Sequence, residues 1–283
     1  MLGAMAVASP FSKEWDAVKA EPLPSEVRNI VFMTYREFQA NVWAGKARFA
    51  REFVHSTLGG DAWILKGAFA PNFMRTMRKK VIAWCAERPG EFHKMLDGSP
   101  DFHRVIDESV SALYSIKAGK HSAYFYRWND DPLGLWPTVT QRWRVVKRAM
   151  GLASTAYENN LPSDGVVDRI QVVRYPPAIG FLEPHVDAHE HQRFFFSGYM
   201  SKRGVDYEGG GFYFLRGEEK VEVEDRLEVG DVCIGYASLR HGVAPCDLHK
   251  TPSWQADDGR WFLSMYSNAS DAVKARATAR PLA

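Results

Sequence analysis

Apolar residues in the first half of the chain recur at the three- and four-residue spacing of amphipathic helices. Ser25 is a candidate N-cap for the first of these segments, and a Pro-Gly pair ends the third. A short apolar run over residues 62–69 is typical of a buried strand. Four segments are predicted to be helices: 25–43, 46–58, 71–88 and 138–150.

From about residue 165 the pattern changes to short apolar runs separated by glycine and acidic turns, with no helical spacing between them. An aromatic run, GKHSAYFYRW, predicts one earlier strand at 119–128. Strands at this spacing are typical of a sandwich, jelly roll or barrel. The predicted strands of the second half are VVDRIQVVRY, RFFFSGYMS, GGFYFL, KVEVED, DVCIGYA and RWFLSMYS.

These patterns predict one domain over residues 1–283 that is mainly β with α. A mainly helical region, 1–164, precedes a β core over 165–270 and a tail over 271–283. Because the helices come first and the strands follow, we expect the helices to pack on one sheet.

Composition narrows the class of protein only a little. The 283 residues carry a net charge of +2, with both signs scattered, which argues against a nucleic-acid partner. Three widely spaced cysteines make no CxxC pair and favour a reducing compartment. The start, MLGAMAVASPFSKEW, lacks the basic residues of a signal peptide, and no apolar stretch is long enough to span a bilayer. We therefore expect a soluble, cytoplasmic protein, and its oligomeric state stays open.

The pattern that carries chemistry is His185-Val186-Asp187. In an extended segment, residues two apart project from the same face, so this imidazole and carboxylate point into one space. His241 lies far downstream, between a buried strand and the start of another. Two histidines and one carboxylate, with the remaining coordination positions open, are the ligand pattern of non-haem Fe(II) oxygenases.

A guanidinium is expected near these residues. Arg260 opens the strand RWFLSMYS, in which Arg260, Phe262 and Ser264 share one face. The planar fork of an arginine holds a carboxylate with two hydrogen bonds. Arg240 and Arg174 are alternatives for this role.

These residues resemble those of the 2-oxoglutarate/Fe(II)-dependent dioxygenase superfamily, and in particular its prolyl-hydroxylase-like branch. The resemblance covers about residues 165–270 and is carried by RYPPAIGFLEPHVDA, YEGGGFYFL and LEVGDVCIGYASLRHGVAP. It implies a double-stranded β-helix core of the jelly-roll or cupin-like type. It also implies an Fe(II) ion held by His185, Asp187 and His241, with 2-oxoglutarate and O₂ as co-substrates.

The same resemblance implies roles for residues around the co-substrate. Arg260 would hold the far carboxylate of 2-oxoglutarate, with Tyr175 and Ser264 assisting. The interval from His241 to Arg260 is longer than is usual in the family, so CDLHKTPSWQADDG is expected to loop out, with Trp254 as a lid over the site. Candidate substrate contacts are Arg193, Tyr126, Trp128 and Trp254.

Several functions are compatible with this pattern. The first is hydroxylation of a C–H bond in a small metabolite, such as an amino acid or natural product; the second is prolyl- or lysyl-type hydroxylation of a protein or peptide. Nucleic-acid dealkylation is disfavoured, because the DNA-repair members of the superfamily carry a second arginine that does not follow Arg260 here. A cupin-like metal-binding protein without turnover is an alternative from another class, as is a zinc site that uses His189 and His191.

Overall fold

A computed structural model of the chain describes residues 9–282. The helices in that range are α1 (Pro10–Ala17), α2 (Tyr35–Ala44), α3 (Ala47–Leu58), α4 (Pro71–Ala86), α5 (Glu108–Ser111) and α6 (Trp136–Ala149). The strands are β1 (Ile30–Thr34), β2 (Ala62–Lys66), β3 (Phe102–Ile106), β4 (Ala118–Tyr126), β5 (Val166–Tyr175), β6 (Phe181–Val186), β7 (Phe194–Tyr199), β8 (Gly211–Arg216), β9 (Glu219–Glu222), β10 (Val232–Tyr236), β11 (His241–Ala244), β12 (Arg260–Ala269) and β13 (Arg280–Pro281).

The strands form two sheets joined along β4. The larger sheet has the order β1-β2-β10-β7-β12-β5-β4, with β3 paired to β4, and the smaller has the order β6-β11-β8-β9, with β13 paired to β6. The first residues of β4, Ala118 and Gly119, also pair with β6. From β5 to β12 the chain passes back and forth between the sheets. This alternation is that of a double-stranded β-helix, so the predicted fold class is confirmed.

The helices cover the outer face of the larger sheet, as predicted. Phe53 of α3 packs edge-on against Phe194 of β7, with ring centroids 5.7 Å apart. Trp143 of α6 packs in the same way against Phe196, at 5.8 Å. Because side chains alternate along a strand, this packing leaves the other face of β7 turned towards the smaller sheet.

The inner face of the larger sheet holds polar and aromatic side chains. β12 runs antiparallel to β5 in a register that places Arg260 opposite Tyr175, Ser264 opposite Gln171 and Tyr266 opposite Arg169. Directly opposed residues on neighbouring strands project from the same face. This inner face is therefore where the site must lie.

The N-terminal half differs in detail from the sequence prediction. Residues 25–43, predicted as one helix, are divided between β1 and α2, because Ile30–Thr34 pairs in parallel with β2. Thr34 then caps α2 through a reciprocal capping box with Glu37. β3 was not predicted either, because it is defined by its pairing with β4, a contact that the pattern within residues 102–106 does not show. The half that was expected to be mainly helical thus also supplies four strands to the larger sheet.

The extreme N-terminus that was considered as a signal peptide falls mainly in residues 1–8, outside the described residues. Of the helices between residues 9 and 282, none combines the length and hydropathy that crossing a bilayer requires.

Candidate metal centre and the cavity beside it

The structure brings His185, Asp187 and His241 together where β6 ends and β11 begins. His185 and His241 face each other across the β6–β11 pairing, with ring centroids 4.4 Å apart. The Asp187 carboxylate lies 3.6 Å from His185 Nε2 and 3.7 Å from His241 Nε2. The Asp187 amide donates to the Ala237 carbonyl at 2.9 Å, which anchors the residue beyond the end of its strand. One donor atom from each of the three side chains lies within 4.8 Å of the other two.

Backbone carbonyls orient both imidazoles. His185 Nδ1 lies 2.9 Å from the Glu183 carbonyl, and His241 Nδ1 lies 2.8 Å from the Leu239 carbonyl. A carbonyl can only accept, so each Nδ1 carries a proton, and in the neutral imidazole Nε2 is then the atom that presents a lone pair. This is the second hydrogen bond that metal-binding histidines usually make. Two Nε2 atoms and one carboxylate form the donor set that suits Fe(II), so these residues fit the ion.

The electrostatics of the cluster favour the same protonation states. Burial disfavours the imidazolium form of His241, and nearby His185 adds repulsion, so its pKa falls to about 4. Burial opposes the charge of Asp187, but His185, His241 and Lys120 outweigh it and lower the pKa of this carboxyl. At neutral pH the cluster therefore offers a neutral imidazole at His241 and an ionised carboxylate, the forms that bind a metal.

Arg260 lies on the inner face, buried to 1% exposure. Its Nε donates to Glu224 Oε1 at 2.7 Å, and its Nη2 forms an ion pair with the same oxygen at 2.6 Å. Although burial acts against its charge, the pKa of Arg260 is raised by Glu224 and by Tyr207. Glu224 also accepts from the Tyr207 hydroxyl and the Phe212 amide. The guanidinium is thus held in one orientation by a carboxylate that is itself fixed.

Three buried polar atoms around this guanidinium have no hydrogen-bond partner among residues 9–282: Arg260 Nη1, Tyr175 Oη and Tyr199 Oη. The guanidinium carbon lies 5.5 Å from the ring centroid of Tyr175 and 5.6 Å from that of Tyr199. A buried donor left unpaired costs about 1–3 kcal/mol, so three such atoms in one place require an explanation. All three can donate to a carboxylate, so this cluster fits the far end of a dicarboxylic keto acid.

Tyr199 and Glu224 were not predicted as site residues. Tyr199 reaches the cluster because β7 pairs with β12, which places Tyr199 opposite Phe262. Glu224 lies in a 3₁₀ turn that follows β9, the edge strand of the smaller sheet, and it contacts Arg260 from there. Neither position has a local sequence signal, because both depend on contacts between distant segments.

The alternatives to Arg260 are engaged elsewhere. Arg174 lies on the opposite face of β5 from Tyr175 and donates to the carbonyls of Ser253, Trp254 and Asp258. Arg240 pairs with Glu26 at 2.5 Å. Arg260 is thus the arginine that the structure places beside Tyr175.

Ser264 differs from what the resemblance implies. Its hydroxyl donates to the Phe196 carbonyl at 2.5 Å, so its proton is already used by the sheet. The hydroxyl therefore has no proton left for the carboxylate of a co-substrate, although the residue shares the inner face with Arg260.

Three of the four candidate substrate residues do not line the space beside the metal cluster. Arg193 donates to the Met150 carbonyl at 2.7 Å and packs over the Trp15 ring on the helical side of the sheet. Trp128 donates to the Ser99 carbonyl. Trp254 belongs to the loop that Arg174 holds against the outer face, so the lid prediction is wrong.

A cavity of about 430 Å³ opens beside the metal cluster, and both His185 and Asp187 line it. Tyr126, the fourth candidate, lies in its wall. The segment 276–279, predicted to be part of a tail, closes one side of the cavity next to β13. The aromatic strand β4 thus borders the cavity beside the metal cluster rather than a closed core.

A second group of metal-type donors lies outside this site. Among residues 9–282, Cys85, His103 and His121 form the other cluster of three such donors, and neither His189 nor His191 belongs to either cluster. His103 bridges His121, at 2.9 Å, and the Arg88 carbonyl, at 3.0 Å, so hydrogen bonding accounts for both of its ring nitrogens. The structure therefore gives no support to a zinc site built on His189 and His191.

Comparison with known proteins gives likenesses of structure only. No protein-family model and no curated protein matches the sequence. The chain is similar to a full-length Neurospora crassa protein solved in complex with alpha-KG, at 13% identity and a TM-score of 0.48, over 88% of this chain and 89% of that one. It is also similar to a Pseudomonas putida prolyl-4-hydroxylase, at 12% identity and 0.45, over 73% and 91%. A prolyl hydroxylase from Trichoplax adhaerens, solved with a hypoxia-inducible-factor peptide, gives 10% identity and 0.47, over 83% and 93%.

These likenesses concern the fold alone. What this chain does must therefore be inferred from its own residues.

Proposed function

We propose that the chain is an Fe(II)- and 2-oxoglutarate-dependent dioxygenase that hydroxylates a C–H bond of a small molecule. The observation that carries this proposal is the convergence of two histidine Nε2 atoms and the Asp187 carboxylate at the end of β6 and the start of β11. Three protein donors leave the other positions on an Fe(II) ion open, and an oxygenase needs those positions for its co-substrates.

The buried donors around Arg260 support 2-oxoglutarate as the co-substrate. Arg260 Nη1, Tyr175 Oη and Tyr199 Oη would donate to its far carboxylate. Glu224 would keep the guanidinium from rotating out of that position. Because this end of the site is buried, the protein would bind the carboxylate without competing water.

In the proposed reaction, Fe(II) and 2-oxoglutarate supply the chemistry that activates O₂ for attack on a C–H bond. The protein's part is placement. His185 and His241 would each present Nε2 from an imidazole held in one orientation, and Asp187 would present its carboxylate. The cavity lined by Tyr126 and by other residues of β4 would hold the substrate next to those ligands.

The dimensions of the cavity support a small-molecule substrate over a peptide. Its volume of about 430 Å³ is within the range of small-ligand sites. Residues 246–259, a loop that could have bordered an open peptide groove, are instead held by Arg174 on the opposite face of the sheet.

The test is succinate release from 2-oxoglutarate in air with added Fe(II), together with direct measurement of bound iron. We expect wild type to bind one Fe(II) and release succinate slowly without a primary substrate. His185→Ala and Asp187→Ala should lose both properties. His191→Ala is the matched control, because this neighbouring histidine is not in the cluster, and it should behave as wild type.

Two results would contradict the proposal. Succinate release that persists in His185→Ala would place the metal elsewhere. Iron binding without any turnover of 2-oxoglutarate would indicate a cupin-like metal-binding protein instead.

A further inference from the structure

The cavity beside the metal cluster contains more positive charge than its own acids can balance. Its lining includes Arg104, Lys120 and Arg169, none of which forms a salt bridge with a carboxylate among residues 9–282. One of the two acids in the lining, Asp271, is paired with Arg276 at 2.5 Å. The other is Asp187, which is assigned to the metal. Three cations are therefore left without a negative partner.

Arg169 is held in place by neutral groups. Its Nη2 donates to Gln171 Oε1 at 3.3 Å, and its guanidinium carbon lies 5.2 Å from the Tyr124 ring centroid and 5.1 Å from that of Tyr266. Its Nε is buried without a hydrogen-bond partner. The two rings thus fix the position of the charge and leave it available to a ligand.

Arg104 repeats this arrangement towards the edge of the larger sheet. It donates to the Tyr114 hydroxyl at 2.7 Å and lies over the Phe92 ring at 4.8 Å, and its Nε is also buried without a partner. Lys120 projects from the same face, two residues before the serine that pairs with Arg104, and its ammonium group makes no hydrogen bond within residues 9–282.

All three cations are partly buried without a counter-ion, which is unfavourable, and a bound anion would offset part of that cost. Aromatic rings line the rest of the cavity, including Tyr124, Tyr126 and Tyr266, and suit an organic body. We propose that the cavity binds a small organic anion, a carboxylate or phosphate, with its negative group on Lys120, Arg169 and Arg104. Resting on the proposed function, this anion would be the primary substrate, with its C–H bonds turned towards the metal.

This anion site is distinct from the one proposed for 2-oxoglutarate. The cluster around Arg260 is neutralised by Glu224 and offers donors for one carboxylate only. The lining of the cavity does not include Arg260, Tyr175 or Tyr199. Saturating one site with 2-oxoglutarate should therefore leave the other free.

The test is calorimetric binding of two probes, benzoate and phenyl phosphate, each compared with a neutral twin, benzamide and phenol. The full chain is first loaded with Mn(II) and saturating 2-oxoglutarate, and the titrations are repeated on metal-free protein. We expect at least one anion to bind tenfold or more tightly than its twin, and more weakly as salt rises. Tighter binding of benzoate would indicate that the cavity recognises a carboxylate, and tighter binding of phenyl phosphate would indicate a phosphate.

The variants identify the residues responsible. Lys120→Met and Arg169→Leu should each weaken binding of the preferred anion about tenfold, with Arg104→Gln as a further variant if either fails to fold. Lys220→Met is the matched control, because Lys220 is an exposed lysine on β9, outside the cavity, and it should leave binding unchanged.

The inference is overturned if neither anion binds more tightly than its neutral twin, or if the preference survives in every folded cavity variant. Failure of the proposed function gives a different result, which is absence of Mn(II) and 2-oxoglutarate binding in the loading step. Anion preference in the metal-free protein would then still support the cavity's selectivity.

Discussion

The Arg260 guanidinium contacts Glu224 through only some of its nitrogens, and the nitrogen without a partner determines which ligand it can bind. Glu224 contacts Nε and Nη2 of Arg260. Nη1 has no hydrogen-bond partner, and neither do the nearby hydroxyls of Tyr175 and Tyr199. The ion pair keeps the guanidinium in place, and the remaining donors set the geometry of recognition. At the scale of single residues, the affinity for 2-oxoglutarate should depend on these donors one by one.

Tyr199→Phe should therefore weaken 2-oxoglutarate binding about tenfold or more, because it removes one hydrogen bond to a charged group, worth about 1.5–3 kcal/mol. Metal binding should not change. The measurement is calorimetric titration of 2-oxoglutarate into Mn(II)-loaded protein. Tyr35→Phe is the matched control, since Tyr35 also carries a buried hydroxyl without a partner but belongs to α2.

Arg260→Ala should raise the 2-oxoglutarate requirement further. It also leaves Glu224 as a buried, unpaired carboxylate, so its stability must be measured beside its affinity. Unchanged affinity in folded Arg260→Ala would show that the arginine does not hold the co-substrate.

At the scale of elements, α6 positions the two strands that carry the site. Lys147 of α6 forms a buried ion pair with Asp168 of β5, Nζ to Oδ2 2.5 Å. The same carboxylate accepts from Ser267 of β12 at 2.8 Å and from Trp143 at 3.3 Å. The helix thus ties β5 to β12 on the outer face, while Tyr175 and Arg260 pair on the inner face of the same two strands.

Lys147→Met should destabilise the protein by about 3–5 kcal/mol at neutral pH, because it leaves Asp168 buried and unpaired. Burial raises the pKa of Asp168 above its ordinary value even in the intact pair. The loss should therefore shrink as pH falls, since protonation of this carboxyl removes the uncompensated charge.

Urea unfolding at pH 7.5 and pH 5 measures this effect. The double variant Lys147→Met with Asp168→Asn should recover most of the lost stability, because the side chain left behind is neutral. A single variant that loses the same stability at both pH values would contradict the electrostatic explanation.

At the scale of the whole molecule, a bound metal would join segments that are far apart in the sequence. His185 and Asp187 come from the end of β6, and His241 from the start of β11. An ion that binds the folded chain and not the unfolded one stabilises it by mass action, by about 2.7 kcal/mol at a hundred times its Kd.

Excess Mn(II) should therefore raise the Tm of wild type by roughly 5 °C or more, given about 2–4 °C per kcal/mol for a large single domain. Chelation should reverse the shift. Scanning calorimetry checks this, with His241→Ala expected to show no shift. His121→Ala should keep the shift, because His121 belongs to the other donor cluster.

Much of this molecule follows from local sequence. The i, i+2 spacing of His185 and Asp187 places both on one side of an extended segment, wherever that segment lies. The short apolar runs after residue 165 define strands, because alternation and turn residues act over only a few positions. The candidate metal ligands and most strands of the β core, though not β6 or β11, could therefore be predicted before any fold was known.

Tertiary structure decided the rest. The register of β6 against β11 brings His241 to His185, and pairing of β7 with β12 brings Tyr199 towards Arg260. Glu224, the charged cavity and its wall at 276–279 depend in the same way on contacts between distant segments. A local hydrophobic pattern specifies which face of a strand is buried, but the partner strand is chosen by the packing of the whole chain, so these features could be read only from the folded molecule.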